Sequence, residues 1–157
     1  MNIQFTPPGG GNAIWLAGPD PTGRTSLSWP INGKLNPQWQ EQVVPGLRAA
    51  AGQVLNRGNM ITELDFSVRQ TFPTIVAAWT FALGLAAQLN VLDSAGTSGG
   101  MVFLQAVDGG TKVNFYIANA VVHFAMPAQI GVDMKFDFRI RGGAITTMNP
   151  NQASPQQ

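Results

Sequence analysis

The sequence predicts a mainly β protein, an antiparallel β-sandwich or barrel with one α-helix packed across it and an irregular N-terminal region. The segment GVDMKFDFRIR alternates apolar and polar residues without error, and MITELDFSVRQ shows the same period of two. A Gly-rich turn joins two further apolar runs. Between MITELDFSVRQ and that turn lies a long stretch rich in Ala and Leu. Alternation with a period of two is typical of a half-buried strand, whereas Ala and Leu favour helix. The resulting order of strand, helix and three strands indicates an antiparallel sheet covered by a helix.

The N-terminal part, residues 1–58, is punctuated by Pro and Gly and is predicted to be rich in loops. The segments NIQF and NAIWLAG are candidates for short strands. Asn32-Gly33 is the strongest hairpin signal, because a type I′ turn needs positive φ at both central positions. We expect residues 36–54 to form a loop with a helical turn. At 157 residues the chain is long enough for one domain with a buried core, predicted over residues 1–148.

Regular structure begins near residue 59 and continues to residue 148. In MITELDFSVRQ, four inward residues alternate with Glu63, Asp65, Ser67 and Arg69. The segment GVDMKFDFRIR repeats this pattern, with Asp133, Lys135, Asp137, Arg139 and Arg141 on its polar side. If the two segments share a sheet, Glu63 and Asp65 face Lys135, Arg139 and Arg141 across neighbouring strands. Such pairing fixes register, since a slip of one residue would bury the charged row. The alternative is a polar face that lines a pore or a seam between subunits.

A helix is predicted over about residues 73–90, because Pro73 is well tolerated at the first helical position. The helix is apolar on both sides, which is typical of burial on both sides. We expect the stripe that contains Trp79 to face the sheet, and Phe81 and Leu85 to lie on the outer face. Residues 70–91 carry no charge and could span a bilayer by length. Half-buried strands on either side favour burial in a protein assembly instead. The last residues, 149–157, have neither periodicity nor bulk, so a flexible tail is predicted.

The composition argues against most kinds of catalytic or metal-binding site. The chain has no Cys and one His, which leaves almost nothing to ligate zinc or iron. Asp133 and Asp137 lie four apart on a strand, about 13 Å, too far for a retaining carboxylate pair. His123 ends an apolar run and is expected to be packed or hydrogen-bonded. The sequence therefore predicts no catalytic, cofactor-binding or metal-binding residue, and no enzyme.

The charged fraction is only 11% and the net charge is +1. So few charges predict that other protein chains cover much of the surface. Because the net charge is close to zero, specific binding to nucleic acid or to a membrane is not expected. Aromatic residues dominate interface hot spots. The interface candidates are Phe81, Leu85, Trp15, Trp29 and Trp39. Ordinary core packing is the alternative for each. A protein of another class, a carbohydrate-binding β-sandwich, would use one of these Trp residues as a stacking platform.

The succession RGNMITELDFSVRQTFPTIVAAWTFALGLAAQL, then IANAVV, then QIGVDMKFDFRIRGGAI resembles small virion proteins of tailed bacteriophages. In layout it is similar to the tail-tube and distal-tail (baseplate ring) proteins, whose shared unit is a β-sandwich or barrel flanked by one helix. The resemblance covers about residues 56–145 and is one of layout and composition. It implies a ring of identical subunits, commonly six, in a virion assembled in the host cytoplasm.

The resemblance also implies partners, namely other virion proteins and DNA that passes a lumen in passive contact. Tube lumens in that family tend to be acidic. The polar face of this chain mixes signs and ends in Arg139 and Arg141. A capsid cement or connector protein therefore remains an alternative to a tail protein.

Overall fold

The computed structural model describes residues 1–8, 12–18, 30–44, 54–89, 99–125 and 131–148. The elements are, in chain order, β1 (Asn2–Thr6), β2 (Ile14–Ala17), β3 (Ile31–Val44), β4 (Val54–Thr71), α1 (Ile75–Leu89), β5 (Gly100–Asp108), β6 (Thr111–Ala125), β7 (Asp133–Gly142) and β8 (Ile145–Met148). The chain is thus mostly antiparallel strand with a single helix in these ranges, which confirms the predicted mainly β class.

The strands follow the order β2-β1-β5-β6-β7-β4-β3, and β8 lies beside β6. The first half of β6 lies between β5 and β8, whereas its second half pairs with β7. The change of neighbour occurs at Asn119, which has a positive φ of 51°. There the N–H of Gly143 donates to the carbonyl of Ala118 at 2.8 Å. This bend carries the chain from one layer of the sandwich to the other. Among the described strands, β2, β3 and β8 each pair with one neighbour.

One hydrophobic core joins both layers and the helix. β4 and β7 each turn alternate residues inward, and the rings of Phe66 and Phe138 stack with centroids 5.0 Å apart. Phe136 lies at the centre of an aromatic cluster, with Phe81, Phe124 and Phe72 at 5.9, 5.7 and 6.3 Å. The helix covers this cluster. The packing of these aromatic rings contributes to stability on this side of the sheet.

The helix begins after a Thr74 cap. The Thr74 hydroxyl oxygen accepts a hydrogen bond from the N–H of Ala77 at 3.1 Å, which satisfies one of the free donors at a helix N-terminus. No helix among the described residues has the length and apolarity needed to cross a bilayer. The Asp108-Gly109-Gly110 turn is confirmed, with positive φ at both glycines.

Two expectations for the N-terminal part are wrong. Asn32 does adopt positive φ, at 56°, but it lies inside β3 at a shift of register and not in a hairpin turn. A β-bulge accommodates the same conformation that a tight turn needs. Residues 36–44 continue β3 instead of turning helical, because β4 pairs with them over their whole length. The short strands at NIQF and NAIWLAG are confirmed as β1 and β2.

Candidate functional site

The most organised surface is the polar side of β4 and β7, hereafter the charge ladder. Its members are four carboxylates, Glu63, Asp65, Asp133 and Asp137, and four cations, Arg69, Lys135, Arg139 and Arg141. The register places Glu63 opposite Arg141 and Asp65 opposite Arg139. Because carboxylates and cations are equal in number, the ladder has no net charge.

Two cross-strand pairs place Glu63 and Asp65 opposite cations of β7, as the alternation predicts. Arg139 Nε donates to Asp65 Oδ1 at 2.9 Å, and Arg141 Nε donates to Glu63 Oε1 at 2.9 Å. Lys135 differs from expectation, since it lies opposite Arg69. Like charges repel at such positions, and each cation has a carboxylate of its own instead.

Those carboxylates are Asp133 for Arg69 and Asp137 for Lys135. Arg69 Nε donates to Asp133 Oδ2 at 2.9 Å, and Lys135 Nζ lies 3.1 Å from Asp137 Oδ1. The hydrogen bond from Arg69 is the main reason that the pKa of Asp133 lies below its ordinary value. The Ser67 hydroxyl donates to Asp137 at 2.6 Å and lowers the pKa of that carboxyl, assisted by Lys135. Both carboxylates are therefore held ionised.

A cleft of about 510 Å³ follows part of the charge ladder, lined among others by Asn32, Ser67, His123, Asp137 and Arg139. His123 lies opposite Arg139 in the β6–β7 register. Among the residues with described positions, no three His, Asp or Glu side chains are grouped to hold a metal ion. The carboxylates of the cleft are already bound to Arg139, Ser67 and Lys135. The arrangement suits a structural role in setting register better than proton transfer.

The second notable surface is the outer face of α1, and here the expectation is reversed. Leu85 is 3% exposed, and Phe81 packs against Phe72 and Phe136. The side chains turned away from the core are Ile75, Val76 and Leu83, with 49, 75 and 59% exposed. Leu85 is therefore a core residue and Phe81 packs partly buried against the core, so the prediction that both lie on the outer face is wrong.

The sequence offered one signal for the correct helix face. Ala78, Ala82, Leu85 and Leu89 recur at helical spacing and are all buried. Small residues at Ala78 and Ala82 let the helix approach the sheet closely. Because the other side of α1 is equally apolar, hydrophobicity alone could not choose between them.

The three tryptophans predicted as interface residues lie in different environments. Trp15 is buried in β2, so it is not an exposed anchor in a loop, and that expectation is wrong. Trp29 lies outside the described residues. Trp39 is 48% exposed on the edge strand β3 and stays a candidate interface residue. A stacking platform for carbohydrate would have to rely on Trp39 among the described tryptophans of the N-terminal part.

The third surface is a two-stranded arm, residues 38–44 of β3 and 54–61 of β4. β7 pairs with β4 only from Thr62 onward, so no described strand flanks β4 along the arm. An isolated two-stranded ribbon is marginally stable in water at best. Within this ribbon Trp39 lies opposite Met60, and Glu41 lies opposite Arg57.

Comparisons of the chain with protein-family models, with curated proteins and with solved structures find no match. The class that fold and surfaces define is thus a β-sandwich with one covering helix, a self-neutralised polar face and an exposed apolar helix face.

Proposed function

We propose that this protein is a non-enzymatic structural subunit of a phage or phage-like particle, in the tail, that acts by assembling with copies of itself. The observation that carries the proposal is the outer face of α1. Val76 and Leu83 are among the most exposed large apolar side chains described, and they lie in a segment, residues 70–91, without any charge. Contiguous apolar surface on a soluble protein marks a contact with another molecule.

The charge ladder supports the proposal in a second way. It contains eight of the chain's seventeen charged side chains, and they neutralise one another. A surface that is internally paired neither attracts nor repels a polyanion strongly. Such a face is compatible with the passive passage of DNA, and it leaves apolar contacts as the main driving force for assembly.

The arm supports it in a third way. A two-stranded ribbon that no described strand flanks gains stability when another protein covers it. A role as a capsid cement or connector protein would use the same surfaces, so it is the alternative position within a particle.

Light scattering of the purified protein over a range of concentrations tests the proposal, followed by electron microscopy. We expect defined oligomers, and rings or tubes in the images. Association should persist in about 0.5 M salt, because apolar contacts are not screened as charge pairs are. A seam formed by the charge ladder would instead weaken with salt. Strictly monomeric protein at millimolar concentration, or saturable quenching of Trp39 fluorescence by a glycan without any assembly, would overturn the proposal.

A further inference from the structure

We infer that Asn32 is a site of spontaneous modification, in which the backbone nitrogen of Gly33 converts the Asn32 side-chain amide into a carboxylate. The inference goes beyond the proposed function and does not depend on it. Three observations at this position carry it, namely the identity of the following residue, the exposure of Asn32 and a local interruption in the pairing of β3 with β4.

The reaction needs only base and water. The Gly33 backbone nitrogen loses its proton to base and attacks Cγ of Asn32, so that a bond forms between that nitrogen and Cγ. The bond from Cγ to Nδ2 breaks, ammonia leaves, and a cyclic succinimide remains. Water then opens the ring at one of its two carbonyl carbons. Opening at Cγ yields aspartate, whereas opening at the main-chain carbonyl yields isoaspartate, in which the main chain continues through the former side chain.

The residue that follows Asn32 is the one that hinders this attack least. Glycine has no Cβ, so its backbone nitrogen can approach a neighbouring group closely. Asn32 is the only asparagine of the sequence that a glycine follows. The sequence therefore singles out this position among all the asparagines of the chain.

The structure places the same two residues in a β-bulge. On either side β3 pairs regularly with β4, but Asn32 and Gly33 together lie opposite the single residue Phe66. The extra residue of a bulge is left out of the ladder. Asn32 is exposed, and its φ of 56° is a conformation that asparagine tolerates. Because β3 pairs with one neighbour among the described strands, rotation at the bulge disturbs few hydrogen bonds.

Asn119 provides a comparison within the same chain. It too is exposed and has a positive φ, of 51°. The residue that follows it, Ala120, carries a Cβ, is fully buried and pairs with Gly100 of β5. Both the Cβ and the tight packing oppose an attack by the Ala120 nitrogen. Asn119 should therefore stay intact under conditions in which Asn32 reacts.

The product would change the cleft beside the charge ladder. Asn32 lines this cleft together with Asp65, Asp137 and Arg139. The carboxylates and cations of the ladder are equal in number, so a further carboxylate beside them ends the local balance of charge. The net charge of the chain falls by one from +1. In the isoaspartate product, the main chain of β3 is also longer by one carbon at the bulge.

The experiment incubates the folded, full-length protein in mildly alkaline buffer and follows it by peptide mapping. Trypsin releases residues 25–34 as one peptide, since it cleaves after Arg24 and Lys34. We expect this peptide to gain one mass unit with time and to separate into aspartate and isoaspartate forms. The reaction should accelerate as the pH rises, because the attacking nitrogen must lose its proton. The peptide that contains Asn119 should stay unchanged over the same period.

Gly33→Ala is the matched variant. A Cβ at position 33 would lie 4.0 Å from Cβ of Phe66, an ordinary contact, so the variant should fold as the unchanged protein does. Its Asn32 should react severalfold more slowly, because the added Cβ hinders the attack. Asn32→Asp carries the product from the start and provides the reference for ion-exchange chromatography of the modified protein.

Two results would overturn the inference. If Asn32 stays intact in the folded protein while the urea-unfolded chain is modified, the bulge protects the residue instead of exposing it to attack. If Gly33→Ala and the unchanged protein react at equal rates, the Gly33 nitrogen is not the attacking group. Neither result bears on assembly, so the proposed function would stand.

Discussion

Arg139 lies directly opposite Asp65 across the β4–β7 pair, while Phe138 and Phe66 stack on the other side of the same strands. One register therefore satisfies an ion pair toward solvent and an aromatic pair toward the core. A shift by one residue would expose the rings and bury the charges. The charge ladder and the core thus specify the same alignment.

Reversal of one partner tests whether the ladder sets this register. Asp65→Arg places two cations opposite each other, and Arg139→Asp places two carboxylates opposite each other, so each should lower the urea midpoint of unfolding. The double variant restores an opposite pair with exchanged positions, and its midpoint should recover toward the original. If the two effects simply add in the double variant, the pair does not contribute through mutual attraction.

Acid should destabilise the fold through Asp133 and Asp137. The pKa of each carboxyl lies below its ordinary value, chiefly because Arg69 and Ser67, respectively, donate hydrogen bonds to it. A group with a lowered folded-state pKa stabilises the protein at pH values above its unfolded-state pKa, about 3.9. That contribution is lost as the pH falls through the lowered pKa. Unfolding followed against pH should show stability declining below about pH 4.

The variant Ser67→Ala distinguishes the causes of the lowered pKa values of Asp133 and Asp137. Removal of the hydroxyl should raise the pKa of Asp137 toward its ordinary value and leave Asp133, which Arg69 holds, unchanged. Carbon-detected NMR titration of the side-chain carboxyls measures the pKa values of Asp133 and Asp137 in one sample. In Arg69→Gln we expect the pKa of Asp133 to rise toward its ordinary value and that of Asp137 to stay unchanged. An unmoved Asp137 titration in Ser67→Ala would contradict the assigned cause.

Two leucines on the same helix form a matched pair. Leu85 is buried in the core and Leu83 faces outward. Leu85→Ala should lower the free energy of unfolding by about 2–5 kcal/mol because it leaves a cavity, whereas Leu83→Ala should change it by less than about 0.5 kcal/mol. Denaturant unfolding of the dilute protein measures both. Equal effects would mean that the helix presents a different face to the sheet.

Two glycines should respond oppositely to Ala. A Cβ at Gly142 would overlap the Ile117 side chain and lie 3.2 Å from Ala120 Cα, where β7 crosses β6 at the bend. Gly142→Ala should therefore lower the thermal midpoint. A Cβ at Gly84, on the exposed side of α1, meets nothing within 4 Å. Gly84→Ala should stabilise the helix by about 1 kcal/mol, and a loss of stability there would contradict the helix orientation.

The strands and the helix could be predicted well where the local pattern is strong. β7 alternates without error and β4 alternates from Glu63 to Arg69, and the predicted facing of Glu63 and Asp65 toward the cations of β7 follows from that alternation. Prediction failed in the N-terminal part because Asn32-Gly33 favours positive φ without saying whether a turn or a bulge will use it. It failed for residues 36–44 because their pairing with β4 is a contact distant in sequence.

Alternating side chains and turn glycines are properties of neighbouring residues, and they determined by themselves that this is a β protein with one helix and a polar strand face. Which side of α1 is buried was decided only by tertiary structure. The helix is apolar on both sides, so its packing against the sheet, with Phe81 beside Phe136, decided which side faces the core. Tertiary structure also decided where the arm begins. β4 and β3 extend beyond the sheet from the point where the pairing of β7 with β4 ends, at Thr62.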